Sequence, residues 1–160
     1  RINFQYEFSS GRTLQFTRTP YSHSGGSIVT FDPQSGILFT SDLFGSLGLE
    51  WELFLNLKPE CMDCVGHARC PDGRNSCPIQ DILNFHKSVM PSEKALRYSL
   101  EKILDIPFTT IAPQHGSIIN DKETLRYVFE SLATLKGVGI DGIIDDDYRF
   151  NFDKIGQRFK

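Results

Sequence analysis

An α/β fold, with helices packed on one face of a sheet, follows from the order of patterns along this chain. Residues 1–42 alternate apolar and polar side chains with the period of two expected of strands. Two later segments, 92–104 and 121–136, carry apolar side chains at helical spacing, with a short β-branched stretch between them. Hairpins followed by helix, strand and helix predict one layer of sheet and one of helices.

Each element has its own local reason. Ile2, Phe4, Tyr6 and Phe8 predict a half-buried strand, and "SSGR" turns the chain into a second through Leu14, Phe16 and Arg18. After the loop "PYSHSGG", the β-branched "SIVTF" predicts a third strand. "DPQSG" is a turn in which Asp opens, Pro fixes φ and Gly closes, and "ILFTS" returns as the partner strand. "LFGSLGLEWELFLNLKPE" has no single period, and "CMDCVGHARCPDGRNSC" reads as loop. "PIQDILNFHKSVM" predicts a helix with Ile82, Phe85 and Val89 on one face and His86 at its surface. In "PSEKALRYSLEKIL", Ser92 caps a helix, Glu93 suits its first turn, and Leu96, Leu100, Ile103 and Leu104 share a face. "FTTIAP" predicts a short strand. A last helix runs from about Asp121 to Lys136, with Leu125, Val128, Phe129, Leu132 and Leu135 inward and Gly137 as its stop. The tail is expected to hold a final strand and a linker.

Composition narrows the function classes. With 160 residues, 39% of them hydrophobic, the chain fits one soluble domain. The net charge of −3 comes without any basic stripe, which argues against a nucleic-acid surface. No apolar run approaches the roughly 20 residues that span a bilayer, and no signal peptide is recognisable, so a cytoplasmic, non-membrane protein is expected. The opening "RINFQYEF" lacks a methionine and already alternates, as a chain would that starts partway through a fold. All four cysteines lie between positions 61 and 77, a clustering that reads as metal binding in a reducing compartment rather than a disulfide framework.

Three polar residues share a setting. His23 lies in a Gly-rich loop after a strand, Asp42 ends "ILFTS", and His115 lies in "IAPQHG" after another strand. Loops at strand ends are where sheet proteins build sites. Imidazole suits iron and zinc, a carboxylate can bridge two metals, and glycines beside the histidines let backbone approach closely. Taken singly, each also fits a plainer role, a surface histidine or a turn-capping aspartate, and spacing alone leaves both readings open.

"TPYSHSGGSIVTFDPQSGILFTSDLFG" together with "MPSEKALRYSLEKILDIPFTTIAPQHGSII" resembles the second half of the metallo-β-lactamase-fold domain of flavodiiron proteins and related oxygen-binding diiron proteins. The resemblance implies an αββα sandwich. Residues 1–145 would be its C-terminal half, with a cysteine-rich insertion at about 58–80, and 146–160 a tail or linker. It also implies roles: His23 a terminal ligand of one iron, Asp42 the bridging carboxylate, His115 a terminal ligand of the other. The family's remaining ligands come from a His-x-Glu-x-Asp-His motif that this sequence lacks, so a missing N-terminal half or another chain is expected to complete the site. Nothing here resembles a flavodoxin domain or an FMN site.

Cys61, Cys64, Cys70 and Cys77 form C-x2-C-x5-C-x6-C, which suits a second metal site holding zinc or an iron–sulfur cluster, with His67 inside the segment as a replacement for one cysteine ligand or, more simply, a solvent-facing loop residue. The expected function is a non-haem diiron domain that binds O2 or NO, as a gas or redox sensor or a flavodiiron-type reductase. Two alternatives stand beside it: a dinuclear zinc hydrolase of the same superfamily, and a metal-stapled, non-catalytic half-domain used for assembly or signalling, a homodimer included.

Overall fold

The computed structural model describes residues 4–48, 52–62, 64, 70, 73–144 and 147–158. Strands β1 (Phe4–Glu7), β2 (Thr13–Arg18), β3 (Ile28–Asp32) and β4 (Ile37–Phe39) form an antiparallel meander, and β5 (Thr110–Ala112) adds to its end parallel to β4. A parallel pair needs a long crossover. Between β4 and β5 the chain makes it with α1 (Pro59–Met62), α2 (Pro78–Val89) and α3 (Glu93–Leu104). Beyond β5 come α4 (Lys122–Ala133), a 3-10 turn at Ile140–Gly142 and the short α5 (Asp153–Arg158).

Turns and caps use the chemistry written in the sequence. The β3–β4 turn closes with the Gly36 amide donating to the Asp32 carbonyl (2.9 Å), Gly36 being left-handed at φ 71°. Asp32 also accepts from Gln34 N and from the side chains of Arg12 and Ser35, and the Arg12 guanidinium, then Ser35, holds its carboxyl down at about 2. Ser92 accepts from Ala95 N (3.2 Å) to cap α3, and Asp121 accepts from Thr124 N (2.8 Å) to cap α4.

Pleating splits the sheet into two unlike faces. Val29, Phe31, Leu38 and Ile111 point one way and are buried with Leu96, Leu100 and Ile103 of α3 and Val128 and Leu132 of α4. On the opposite face a cross-strand row runs Phe4, Phe16, Thr30, Phe39, Ala112 through all five strands. Here Phe4, Ile28 and Phe39 are 40%, 44% and 46% exposed. At the meander end of this face Phe4, Phe16, Arg18, Pro20 and Ile28 line a groove of about 660 Å³, with the Arg18 guanidinium 5.0 Å from the centre of the Phe4 ring.

Several expectations are corrected. The first strand is exposed along its whole length rather than half-buried, because it is the sheet edge and its apolar row faces away from the helices; Ile2 lies outside the described residues. Leu104 is exposed: at 100° per residue it sits about 80° from Leu96, while Ile103 returns to within about 20°. The last long helix ends at Ala133, where Thr134 caps it and donates its hydroxyl to Glu130 O (2.8 Å), ahead of Gly137. Leu135 is nonetheless buried, just past the helix end. Cys61 falls in the one-turn α1 rather than in loop, and "ILFTS" is strand only through Phe39. Among the described residues of the tail, a 3-10 turn and an exposed six-residue helix stand where a strand was expected.

Candidate metal centre

Topology brings the three predicted ligands to one edge of the sheet. β4 and β5 run parallel, so Asp42 and His115, each three residues past its strand, leave the same edge. β3 runs antiparallel to β4, so the loop that enters β3, carrying His23, lies at that edge too. His115 Nε2 stands 3.5 Å from Asp42 Oδ1, and His23 Nε2 stands 3.9 Å from Asp42 Oδ2. One imidazole thus faces each carboxylate oxygen. The histidine side chains are about half exposed and that of Asp42 is 16% exposed.

Asp42 Oδ1 is buried and has no hydrogen-bond partner. A buried carboxylate oxygen left without a donor is costly, and its nearest imidazole is too distant for a good hydrogen bond. Donors that share one ion at about 2 Å each lie roughly 3–4 Å apart, which both pairs match. Nitrogen and carboxylate oxygen form a donor set suited to iron or zinc. Among the described residues, which include His23, Asp42, His115 and all four cysteines, no three His, Cys, Asp or Glu groups are placed to hold one metal ion together.

The loops are built tightly. Among the described residues, the non-glycine residues with positive φ are Tyr21, His23, Ser41 and Phe44, all in the two loops that carry His23 and Asp42. Backbone strain of this kind persists where surrounding bonds over-determine it. The Asp42 loop is tied by Thr40 Oγ1 donating to Leu43 O (2.6 Å), Gly45 N to Asp42 O (3.0 Å), Gln114 N to Ser41 O (2.7 Å) and Ser46 N to His115 O (3.2 Å). The last two bonds stitch the Asp42 and His115 loops together. Glycines allow this approach: a Cβ on Gly45 would lie 2.9 Å from Asp42 O, and one on Gly116, at φ 94°, would lie 2.5 Å from Ser46 Oγ. Gly26, by contrast, has open space around it. Gly116→Ala is expected to cost about 1–3 kcal/mol, from the disfavoured φ and the Ser46 contact, read as a lower urea midpoint.

Sequence reasoning missed the support beneath these loops. His86, expected at a helix surface, is completely buried. Its Nε2 accepts the Phe44 amide (3.0 Å) and its Nδ1–H donates to Ile82 O (2.7 Å), so the ring is the neutral Nδ1 tautomer. Burial pushes its pKa down to about 4, against the pull of Ile82 O and Asp42. Phe85 presses its ring on His115 (6.4 Å between centroids). The signal was available: His86 is four residues beyond Ile82 and shares its stripe.

The four cysteines are unpaired and partly buried. Tyr127 of α4 has its pKa raised first by burial, and the charges of Cys77, Cys64 and Cys61 add to this; its hydroxyl donates to Cys61 O (3.4 Å). His67 lies outside the described residues. No helix among the described residues is long and apolar enough to cross a membrane.

Comparison with known proteins bears on the fold that carries this site. Two structures of the chemotaxis sensor ODP, a peroxy diiron species and the apo state from T. denticola, superpose with TM-scores of 0.69 and 0.67 at 23% identity. They cover 88% of this chain and 53% and 51% of those chains. Rubredoxin oxygen:oxidoreductase from Desulfovibrio gigas superposes with a TM-score of 0.63 at 16% identity, over 82% of this chain and 29% of that one. These likenesses show a shared metallo-β-lactamase-like α/β fold. Type A flavoprotein fprA of Rhodobacter capsulatus is 29% identical over 132 residues, which are 79% of this chain and 27% of that protein. The chain therefore spans about half the length of the sensor and about a quarter of the flavoprotein. Residues 2–116 match the ODP family beta lactamase, and with most of its length inside that match, this chain belongs to the ODP beta-lactamase family.

Proposed function

We propose that this chain contributes half of a non-haem diiron domain that binds O2 or NO, with His23 and His115 as terminal ligands of the two irons and Asp42 as their bridge. The observation that carries this is the Asp42 carboxylate, one oxygen buried and unbonded, with an imidazole nitrogen 3.5 Å from one oxygen and 3.9 Å from the other. Bound ferrous ions would supply a diatomic-binding, electron-sharing centre. The chain's own residues hold the bridge in a stitched loop and leave both histidines open to solvent on one side. Of the two uses of such a centre, gas sensing is the reading we favour over reduction, since the sensor superposes over 88% of this chain.

Three ligands are too few to hold two irons, so the proposal includes a completing half, from the same polypeptide or another. The uncovered apolar row from Phe4 to Phe39 supports it, as the second sheet of an αββα sandwich would pack there. We extend the proposal to Cys61, Cys64, Cys70 and Cys77 as a second, thiolate metal site for zinc or an iron–sulfur cluster. Their spacing and unpaired thiols support it.

The test is metal content. Protein completed by the other half, loaded anaerobically with ferrous iron, is expected to retain two irons per domain and to change its visible absorption on exposure to air. Retention of zinc in preference to iron, with ester or phosphodiester turnover, would favour a hydrolase instead.

A further inference from the structure

The C-terminal half of α2 lies under the Asp42 and His115 loops. Phe85 meets the His115 ring and would collide with a Cβ at Gly45, while the next residue, His86, reaches the Asp42 loop with a hydrogen bond. Phe44, two residues past Asp42, is buried and left-handed at φ 70°, its ring 4.8 Å from that of Phe129 on α4. A buried amide needs an acceptor. Among the described residues no strand pairs with this turn, and the carbonyls of α2 are engaged along the helix axis, so the acceptor is a side chain projecting from the helix. His86 fits that need: burial keeps it neutral, and the bond from Nδ1–H to Ile82 O fixes its ring so that Nε2 faces Phe44 N.

We propose that His86 is the positioning residue of the Asp42 carboxylate. By accepting the Phe44 amide it locks the left-handed turn that starts at Asp42, which keeps Oδ1 toward His115 and Oδ2 toward His23 with Oδ1 free of any protein hydrogen bond. It touches no metal and acts only through the turn. The inference rests on the reading of Asp42 as a metal bridge.

Three substitutions test it. His86→Leu fills the space without an acceptor. His86→Gln returns an amide oxygen near the position of Nε2, whereas the shorter His86→Asn places its amide nearer Nδ1 and falls short of Phe44. In anaerobic ferrous iron titrations of the completed protein, Leu and Asn are expected to weaken iron affinity about 10–100-fold, the usual effect of losing a group that orients a ligand, and Gln to restore most of it. Independently of iron, hydrogen exchange at the Phe44 amide is expected to speed up in Leu and Asn and stay slow in Gln. If the Leu variant does not fold, Gln against Asn carries the comparison. Equal iron affinity in Gln, Asn and wild type, while Asp42→Asn loses iron, would overturn the positioning role and leave the metal site standing. Full iron retention by Asp42→Asn would instead overturn the metal reading itself.

Discussion

Asp42→Asn is expected to reduce iron retention from two ions to one or none without unfolding the protein. An amide keeps the shape of the carboxylate but loses its charge and replaces one oxygen donor by an NH2, so it cannot bridge two cations. In most buried carboxylates such a change breaks hydrogen bonds. Here Oδ1 has none to break, and the metal-free variant is expected to melt at the wild-type temperature or above it, as is common where a site residue is held at the expense of stability. Metal analysis alongside thermal unfolding separates this from a folding defect. A variant that lost iron only because it unfolded would contradict the reading.

Acid is expected to destabilise the metal-free protein through His86, beginning well above the range in which carboxylates titrate. The unfolded imidazole takes up a proton near pH 6.5, whereas the buried one resists until about 4. Between these values the unfolded state binds more protons, so stability falls as pH falls, by up to about 1.4 kcal/mol per unit. Above pH 6.5 both states are neutral and the effect is absent; below pH 4 it is complete. From pH 7 to pH 5 the loss is about 2 kcal/mol, a large share of a typical domain's stability. Urea midpoints at the two pH values measure it. His86→Gln, which has no such proton to take up, is expected to show a much flatter dependence, and equal slopes in the two proteins would place the acid sensitivity elsewhere.

These two expectations draw on different levels of information. Asp42, His23 and His115 were legible as candidate ligands because residue type, neighbouring glycines and strand-end position are local properties. Their roles came from resemblance, and the distances that make the roles chemically reasonable came from the sheet. His86 was misread because a histidine inside an amphipathic pattern counts as polar. Its place on the Ile82 stripe marked it as buried only once the buried Phe44 amide gave that burial a purpose. Leu104 failed the other way, being apolar and near the stripe but rotated off it in the last turn.

By itself the sequence determined the hairpins, the β3–β4 turn, the Ser92 cap and, Leu104 apart, the inward faces of α3 and α4. Each of these is settled by side-chain period or by turn chemistry acting over a few residues. Tertiary structure alone decided which face of the sheet the helices cover, leaving the Phe4-to-Phe39 row bare. It also decided that His23 and His115, far apart in the chain, meet Asp42 at a single edge. The reason is that strand order and direction are set by long-range pairing. Only when β5 lies parallel to β4, and β3 antiparallel to it, do three loops leave the sheet on the same side.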